Sequence, residues 1–236
     1  MKRTLVRLAI IVVAAILVVS GGILLWTKVI NKPEEKLGTD DLSAVVDPTT
    51  SESSPPAATD APTTPDGTWV ATSASTLGYR VPEVLGGVDT EGVGRTNQVK
   101  GSITVAGTMI TAASFSVDVA TITSDSSRRD GQFIGPIMDT ATYPTATFEL
   151  TQPIELGAIP EPGTQITATA TGALTMRGTT VPVTFTVTAE YSPSTIGVFG
   201  SIPIVFADYG IPNPSNPFVT TGDSGLLEFV LAFARS

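Results

Sequence analysis

The densest group of charged residues in the chain contains four aspartates and two adjacent arginines: Asp118, Asp125, Arg128, Arg129, Asp130 and Asp139. Paired carboxylates about 5–9.5 Å apart can hydrolyse a glycosidic bond, and clustered carboxylates can bind Ca²⁺. The spacing here matches neither an EF-hand loop nor another metal motif. We therefore interpret Asp118, Arg129, Asp130 and Asp139 as a structural cluster, in which helix capping and Arg–Asp pairing tie a short helix to the domain, and we predict no metal site.

The remaining composition also argues against catalysis. The chain has no histidine and no cysteine, so it lacks an imidazole base, a thiolate nucleophile and cysteine-ligated metals. No Ser-x-x-Lys motif supplies a lysine base for a serine. Beyond residue 7 the chain carries 10 Lys and Arg against 22 Asp and Glu, a net charge of −12, which disfavours nucleic-acid binding. We predict that the protein is not an enzyme and needs no cofactor.

An apolar segment near the amino terminus has the length of a membrane span. Residues 8–27 contain no charge, and a helix of about 20 residues crosses the ~30 Å hydrocarbon core of a bilayer. Trp26 and Lys28 suit the membrane interface, and no clear Ala-x-Ala site follows, which favours an uncleaved anchor over a cleaved signal. The three basic residues within positions 1–7 predict a cytoplasmic tail, a single membrane span and an extracytoplasmic carboxyl-terminal domain.

Residues 28–66 have the composition of a disordered linker. From Asn31 to Asp66 the sequence holds six prolines, ten Ser or Thr and eight Asp or Glu, but no aromatic residue. Such a segment buries too little apolar surface to offset the entropy of ordering. As a flexible coil it would reach roughly 30–35 Å, so we predict a tether that holds residues 67–236 away from the membrane.

Apolar and polar residues alternate with period two through residues 67–236. Phe115, Val117 and Val119 alternate with polar neighbours, and residues 181–188 and 227–234 show the same periodicity. This pattern is typical of half-buried strands, and about eight of them, separated by Gly-rich turns, predict a barrel or a sandwich. Capping residues at 124–130, followed by apolar residues at helical spacing, predict one short helix, limited by Pro136.

The inner face of a closed eight-stranded sheet is either filled by side chains or leaves room for one small ligand. Ala168 and Ala170 lie on one predicted strand face, and their small side chains leave volume. A dry apolar space favours hydrocarbon by about 25 cal/mol per Å² buried. Alternation alone is compatible with both a ligand cavity and a filled core.

A series of motifs, taken in order, resembles the YceI-like family. These motifs are Thr68-Trp69-Val70, Ser116-Val117-Asp118, Arg129-Asp130, Met138-Asp139, the run from Tyr143 to Phe148, the hairpin at 172–183, and Ala207-Asp208-Tyr209-Gly210-Ile211. The resemblance spans about Thr68 to Phe233. It implies an all-β, extended lipocalin-like antiparallel barrel of eight strands that binds a long amphiphile, typically a polyisoprenoid, in a central apolar tunnel. The histidine usual beside the family's Arg-Asp pair is replaced by Gly131-Gln132.

Together these observations predict a membrane-anchored lipid-binding barrel, with a non-enzymatic cell-envelope interaction module with a filled core as the alternative. The twelve residues expected to line the apolar interior are Phe115, Val117, Phe148, Leu150, Ala168, Ala170, Leu174, Val183, Phe185, Phe206, Phe229 and Leu231. Under the main interpretation affinity comes from burying hydrocarbon, and a few polar groups at the mouth orient the ligand.

Overall fold

The structure, a computed structural model, describes residues 33–46 and 64–236. These residues include two α-helices, α1 (Thr39–Val46) and α2 (Ser127–Gln132), and thirteen strands. The strands are β1 (Gly67–Ala71), β2 (Thr76–Leu85), β3 (Val88–Thr96), β4 (Val99–Ala106), β5 (Met109–Asp118), β6 (Thr123–Ser124), β7 (Thr145–Leu150), β8 (Ile154–Glu155), β9 (Ile166–Met176), β10 (Thr179–Tyr191), β11 (Thr195–Val205), β12 (Val219–Thr221) and β13 (Ser224–Arg235).

Eight strands close into an antiparallel barrel. Their order around the wall is β1-β4-β5-β7-β9-β10-β11-β13, and pairing of β1 with β13 completes the ring. Alternate residues of each strand point to opposite sides of the wall, so the period-two apolar positions form one continuous core. The predicted all-β, eight-stranded antiparallel barrel of the lipocalin-like type is confirmed.

The barrel wall is wider at one end because β13 changes its partner along its length. The carboxyl-terminal residues 233–235 of β13 pair with β1, whereas residues 226–230 pair with β2. Strand β2 continues the wall to β3, and β3 continues it to the short β6. This additional sheet gives one half of the barrel a larger perimeter than the closed ring alone.

The predicted short helix is present beside this wider half. Ser126 caps α2 by accepting a hydrogen bond from the backbone N–H of Arg129, as the sequence of capping residues indicates. A turn of π-helix, Phe133–Ile137, follows directly and contains Pro136. The proline lacks an N–H to donate, so it shortens the helix as expected.

Residues 33–46 form an ordered strap across the outside of the barrel, and here the prediction of a disordered linker over 28–66 is wrong. The strap contains α1, whose Leu42 and Val46 are buried against β10, β11 and β13. Composition averaged over the whole linker concealed this local apolar face, in which Leu42 and Val46 are spaced by one helical turn. Residues 28–32 and 47–63 lie outside the described residues.

Within residues 33–46 and 64–236, none of the helices has both the length and the apolar character needed to cross a bilayer. The segment predicted to do so, residues 8–27, lies outside the described residues, as does the predicted cytoplasmic tail at 1–7.

Candidate binding site

Four phenylalanine rings meet in the middle of the barrel. Phe115, Phe148, Phe185 and Phe229 come from four different strands, and successive ring centroids lie 5.2, 5.5, 6.1 and 5.6 Å apart around a closed quartet. The stacked and edge-to-face contacts are those that aromatic quadrupoles favour. We call this group the phenylalanine layer. All four of its rings line one of the two interior cavities described below, and none of them lines the other.

Glycines in the wall make room for these rings. A Cβ atom added at Gly172 would lie 2.4 Å from the Phe148 ring, and one at Gly200 would lie 2.6 Å from the Phe229 ring. Both distances are far below van der Waals contact, so the wall cannot carry larger residues there while the rings stay in place.

The smaller cavity, with a volume of about 110 Å³, lies on one side of the phenylalanine layer. Its surface is almost wholly apolar, and the phenylalanine layer contributes all four of its rings. Other lining residues include Ile103, Val105, Ile110, Leu150, Ile154, Ala168, Ala170, Val187, Leu231 and Phe233.

The larger cavity, of about 400 Å³, lies on the other side, within the wider half of the barrel. This volume falls within the range of small-molecule sites. Its lining is apolar in depth and polar near the helix α2, where Ser126, Arg128, Arg129 and Gln132 contribute. The apolar lining includes Leu77, Tyr79, Val81, Val117, Phe133, Ile137, Met138, Ala146, Met176, Ile204, Phe206 and Phe218.

The twelve residues predicted to line the interior are split between these spaces. Eight of them face the smaller cavity: Phe115, Phe148, Leu150, Ala168, Ala170, Phe185, Phe229 and Leu231. Val117 and Phe206 face the larger cavity. Leu174 and Val183 line neither cavity: Leu174 is fully buried in the core, and Val183 is partly buried against it. The two alanines thus leave volume as expected, but on the side of the smaller cavity.

The charged cluster does not act as one unit. Asp118 accepts a hydrogen bond of 3.0 Å from the N–H of Ala120, which caps a turn of 3₁₀-helix. Asp130 accepts hydrogen bonds from the N–H and hydroxyl of Ser124, at 2.8 and 2.6 Å. Asp139 has a φ of 48°, in the left-handed region that aspartate tolerates better than most residues. These three aspartates have separate local roles in the backbone.

Arg129 connects α2 to the barrel wall, but through a partner that the sequence did not suggest. Its guanidinium pairs with Asp125, one helical turn away, and lies 3.8 Å from the carboxylate of Glu83 on β2. The expected Arg–Asp pairing is therefore local, and the link to the barrel is the contact with Glu83. Both Arg129 and Glu83 line the larger cavity.

Burial changes the acidity of two groups in the larger cavity. Tyr79 stacks on Phe133 with ring centroids 4.6 Å apart, and burial raises the pKa of Tyr79 to about 12. Burial also raises the pKa of Glu83, although the charge of Arg129 opposes this effect. Both shifts favour the neutral form of the group, as expected in an apolar environment.

Several residues of the larger cavity were missed from the sequence. Tyr79 continues the alternation of Leu77 and Val81 on β2, which is a signal that could have identified it. Phe218 lies in a turn outside any alternating run, and no pattern marks it. Among the described residues, no group of three or more acidic side chains lies close enough together to hold a metal ion.

An antiparallel barrel with an apolar interior and a cavity that opens at a polar rim is a lipocalin-like fold. The family model for the YceI-like domain matches residues 69–233, and the chain therefore belongs to the YceI-like family. This family is characterised by a binding-protein fold.

A solved structure gives the same fold. A polyisoprenoid-binding domain from Saccharophagus degradans, implicated in plant cell wall breakdown, matches with a TM-score of 0.57 and 17% identity over 72% of this chain and 98% of that chain. Burkholderia cenocepacia BcnA matches with a TM-score of 0.49 and 24% identity over 65% and 95% of the two chains. No curated protein sequence matches the chain.

Proposed function

We propose that this protein is a membrane-anchored, extracytoplasmic binding protein for a long amphiphile of the polyisoprenoid kind, and that the larger cavity receives its apolar chain. The observation that carries the proposal is the apolar cavity of about 400 Å³ with a polar rim. Each 100 Å² of hydrocarbon buried there contributes about 2.5 kcal/mol. Membership of the YceI-like family and the fold shared with the polyisoprenoid-binding domain from Saccharophagus degradans support the same ligand class.

The rim offers groups for a polar head. Arg128 and Gln132 line the cavity from α2, and Arg128 is exposed to solvent. The charge of Arg129 is already compensated by Asp125 and Glu83. We therefore assign orientation of a polar or anionic head to Arg128 and Gln132, and retention of the chain to the apolar wall.

The proposal is tested with two matched substitutions that fill one cavity each. Ala146 lines the larger cavity and Ala168 the smaller one, so Ala146→Phe blocks the proposed site whereas Ala168→Phe leaves it open. The full chain is purified in a mild detergent, and bound lipid is identified by native mass spectrometry. Lipids that surround the membrane segment are the same in both variants, so a difference between them reports on the barrel.

We expect Ala146→Phe to lose the bound amphiphile and Ala168→Phe to keep it. Overpacking costs about 1–3 kcal/mol, so melting curves of both variants accompany the measurement. Loss in Ala168→Phe alone would place the ligand in the smaller cavity and contradict the proposal. Absence of any barrel-specific lipid in the wild type would contradict it too, and would favour a surface-interaction module.

A further inference from the structure

We propose that the strap holds the barrel directly against the bilayer with the mouth of the larger cavity toward the membrane, so that the guest passes between bilayer and cavity without crossing water. This inference rests on the proposed function, because it takes residues 8–27 as the membrane anchor. In place of the long tether that composition predicted, residues 28–32 alone would join the anchor to a strap that is held on the barrel.

Two arginines, the buried Arg80 and the partly buried Arg95, hold the amino-terminal end of the strap. Arg80 donates hydrogen bonds of 3.0 Å to the backbone carbonyls of Glu34 and Glu35, and its remaining donors reach Glu228 and Glu91. Arg95 pairs with the Glu34 carboxylate at 3.0 Å and shares Glu228 with Arg80. Because removal of the strap would expose this network and leave its carbonyl contacts unmade, the strap is part of the folded domain.

The helical end of the strap is fastened by packing. Leu42 and Val46 are buried and approach Gly197 so closely that a Cβ there would lie 2.6 Å from each side chain. The Ser43 hydroxyl donates a hydrogen bond of 2.9 Å to Glu190, which also accepts one from Gln165. The strap is therefore held at both of its ends.

A fastened strap leaves little chain between membrane and barrel. Only residues 28–32 separate the predicted anchor from Pro33, and five extended residues span at most about 17 Å. Residues 47–63 add nothing to this reach, since the chain on either side of them, at Val46 and Thr64, belongs to the barrel body. The anchored barrel must consequently lie beside the bilayer.

The direction of the strap decides which end faces the membrane. Glu34 and Glu35 contact Arg80, whose neighbours Tyr79 and Val81 line the larger cavity. Helix α1, in contrast, covers residues of β10 and β11 beside the lining of the smaller cavity. The chain that precedes Pro33 therefore leaves the barrel from the half that contains the larger cavity.

The mouth of that cavity carries exposed apolar side chains. Phe218 is 78% exposed, and Val84 and Val205 are also exposed on strands that end at this side. The Phe218 carbonyl accepts a hydrogen bond from Gly86 at the tip of the β2–β3 hairpin, so the aromatic residue and the hairpin tip are neighbours. Exposed apolar groups around a cavity suit a lipid interface, where aromatic rings concentrate. Because the chain beyond residue 7 has a net negative charge, an apolar contact with the membrane is more suitable than an electrostatic one.

The orientation is tested with single-cysteine probes on the full chain in lipid vesicles. The wild type contains no cysteine, so Phe218→Cys and Thr108→Cys each accept one environment-sensitive fluorophore. Thr108 lies in the β4–β5 turn beside the smaller cavity and serves as the control. We expect spin-labelled lipid to quench the probe at 218 several-fold more than the probe at 108, with aqueous iodide giving the opposite order. Equal quenching at both positions would overturn the orientation.

The role of the strap is tested with two insertions of the same Gly/Ser linker of about 20 residues, which adds a reach of about 25 Å. Between Lys32 and Pro33 the linker lengthens the connection to the membrane, and we expect lipid quenching at 218 to fall several-fold. Between Pro55 and Pro56 it leaves quenching unchanged, because the strap still holds the barrel. If both insertions change the quenching at position 218 equally, the strap does not set the distance between the barrel and the membrane.

Lipid bound in the barrel is measured in the same samples. If bound lipid persists while the quenching prediction fails, only this inference is wrong. If the wild type holds no bound lipid, the proposed function is refuted.

Discussion

Arg80 and Glu228 form a bidentate ion pair on the outer side of the barrel wall, and both nitrogen–oxygen distances are 3.1 Å. Their side chains are only 3% and 1% exposed, which is unusual for charges that face away from a barrel core. The strap explains this burial, because it covers the pair and supplies backbone carbonyls to Arg80. Burial alone would lower the pKa of Arg80, but its hydrogen bonds to Glu228 and Glu91 raise it.

Removal of the shared carboxylate should destabilise the protein strongly. Glu228→Gln leaves Arg80 and Arg95 without their buried counter-charge, and the loss of one partner from such a site costs about 3–5 kcal/mol. Glu91→Gln removes the other carboxylate partner of Arg80, but Glu91 is 45% exposed, so a loss of about 1 kcal/mol or less is expected. Urea unfolding of the two variants measures the difference. Equal losses would show that the strap does not bury the pair.

Truncation of one ring should join the two cavities. Phe185 contacts both Phe148 and Phe229 in the phenylalanine layer. Phe185→Ala is expected to cost about 3–5 kcal/mol, which lowers the melting temperature by roughly 10 °C in a domain of this size. The same variant should retain guests with longer chains than the wild type does, as measured by mass spectrometry of extracted lipid.

Phe185→Leu is the matched control, because it keeps an apolar side chain of intermediate size. A smaller loss of stability and an unchanged distribution of guest lengths are expected for it. If Phe185→Ala binds the same guests as the wild type, the phenylalanine layer does not limit the depth of the cavity.

The pH dependence of stability should report on Glu83. Its folded-state pKa is raised above 4.5 by burial, so the native state holds the proton more tightly than the unfolded chain does. Stability from this group therefore falls as the pH rises from about 4.5 through the raised pKa, and the loss is complete above it. Glu83→Gln lacks this titration, so the stability of the variant relative to the wild type should increase across that pH range. Parallel pH profiles of the two free energies of unfolding would rule out the shift.

A side chain at position 197 should displace α1. Gly197→Leu introduces atoms into space that Leu42 and Val46 occupy, so the strap helix must move outward and its amides should exchange with deuterium faster. Gly131→Leu provides a control, since a Cβ at Gly131 meets no heavy atom within 4 Å. Exchange over 39–46 that is equally slow in both variants would mean that α1 does not need this glycine.

The local sequence pattern was sufficient to predict the barrel, but it did not predict that four phenylalanine rings meet inside it. Alternation identified Phe115, Phe148, Phe185 and Phe229 as interior residues one strand at a time. Their mutual contact depends on which strands are neighbours and in which register, and period-two alternation carries no information on pairing across the sheet. The cap at Ser126 was predictable because its partner, Arg129, lies only three residues away.

The ion pair on the outer side of the barrel wall could not be predicted from the sequence either. Arg80 and Glu228 are 148 positions apart, and neither belongs to a motif that predicts the other. The strap was missed because prolines and acidic residues elsewhere in 28–66 dominated the average composition. The apolar spacing of Leu42 and Val46 was a usable signal, although two residues on so short a helix have little statistical weight.

The phenylalanine layer lies beyond the inner end of the larger cavity, since none of its four rings is among the residues that line that cavity. Under the proposed function, a guest that enters from the mouth descends no further than these rings, and the part of a long chain that exceeds this depth stays outside the protein. Under this proposal the protein would grip one end of its guest and would not enclose the whole molecule. Discrimination would then depend on the shape of that end, while chains of very different total length could share the same grip.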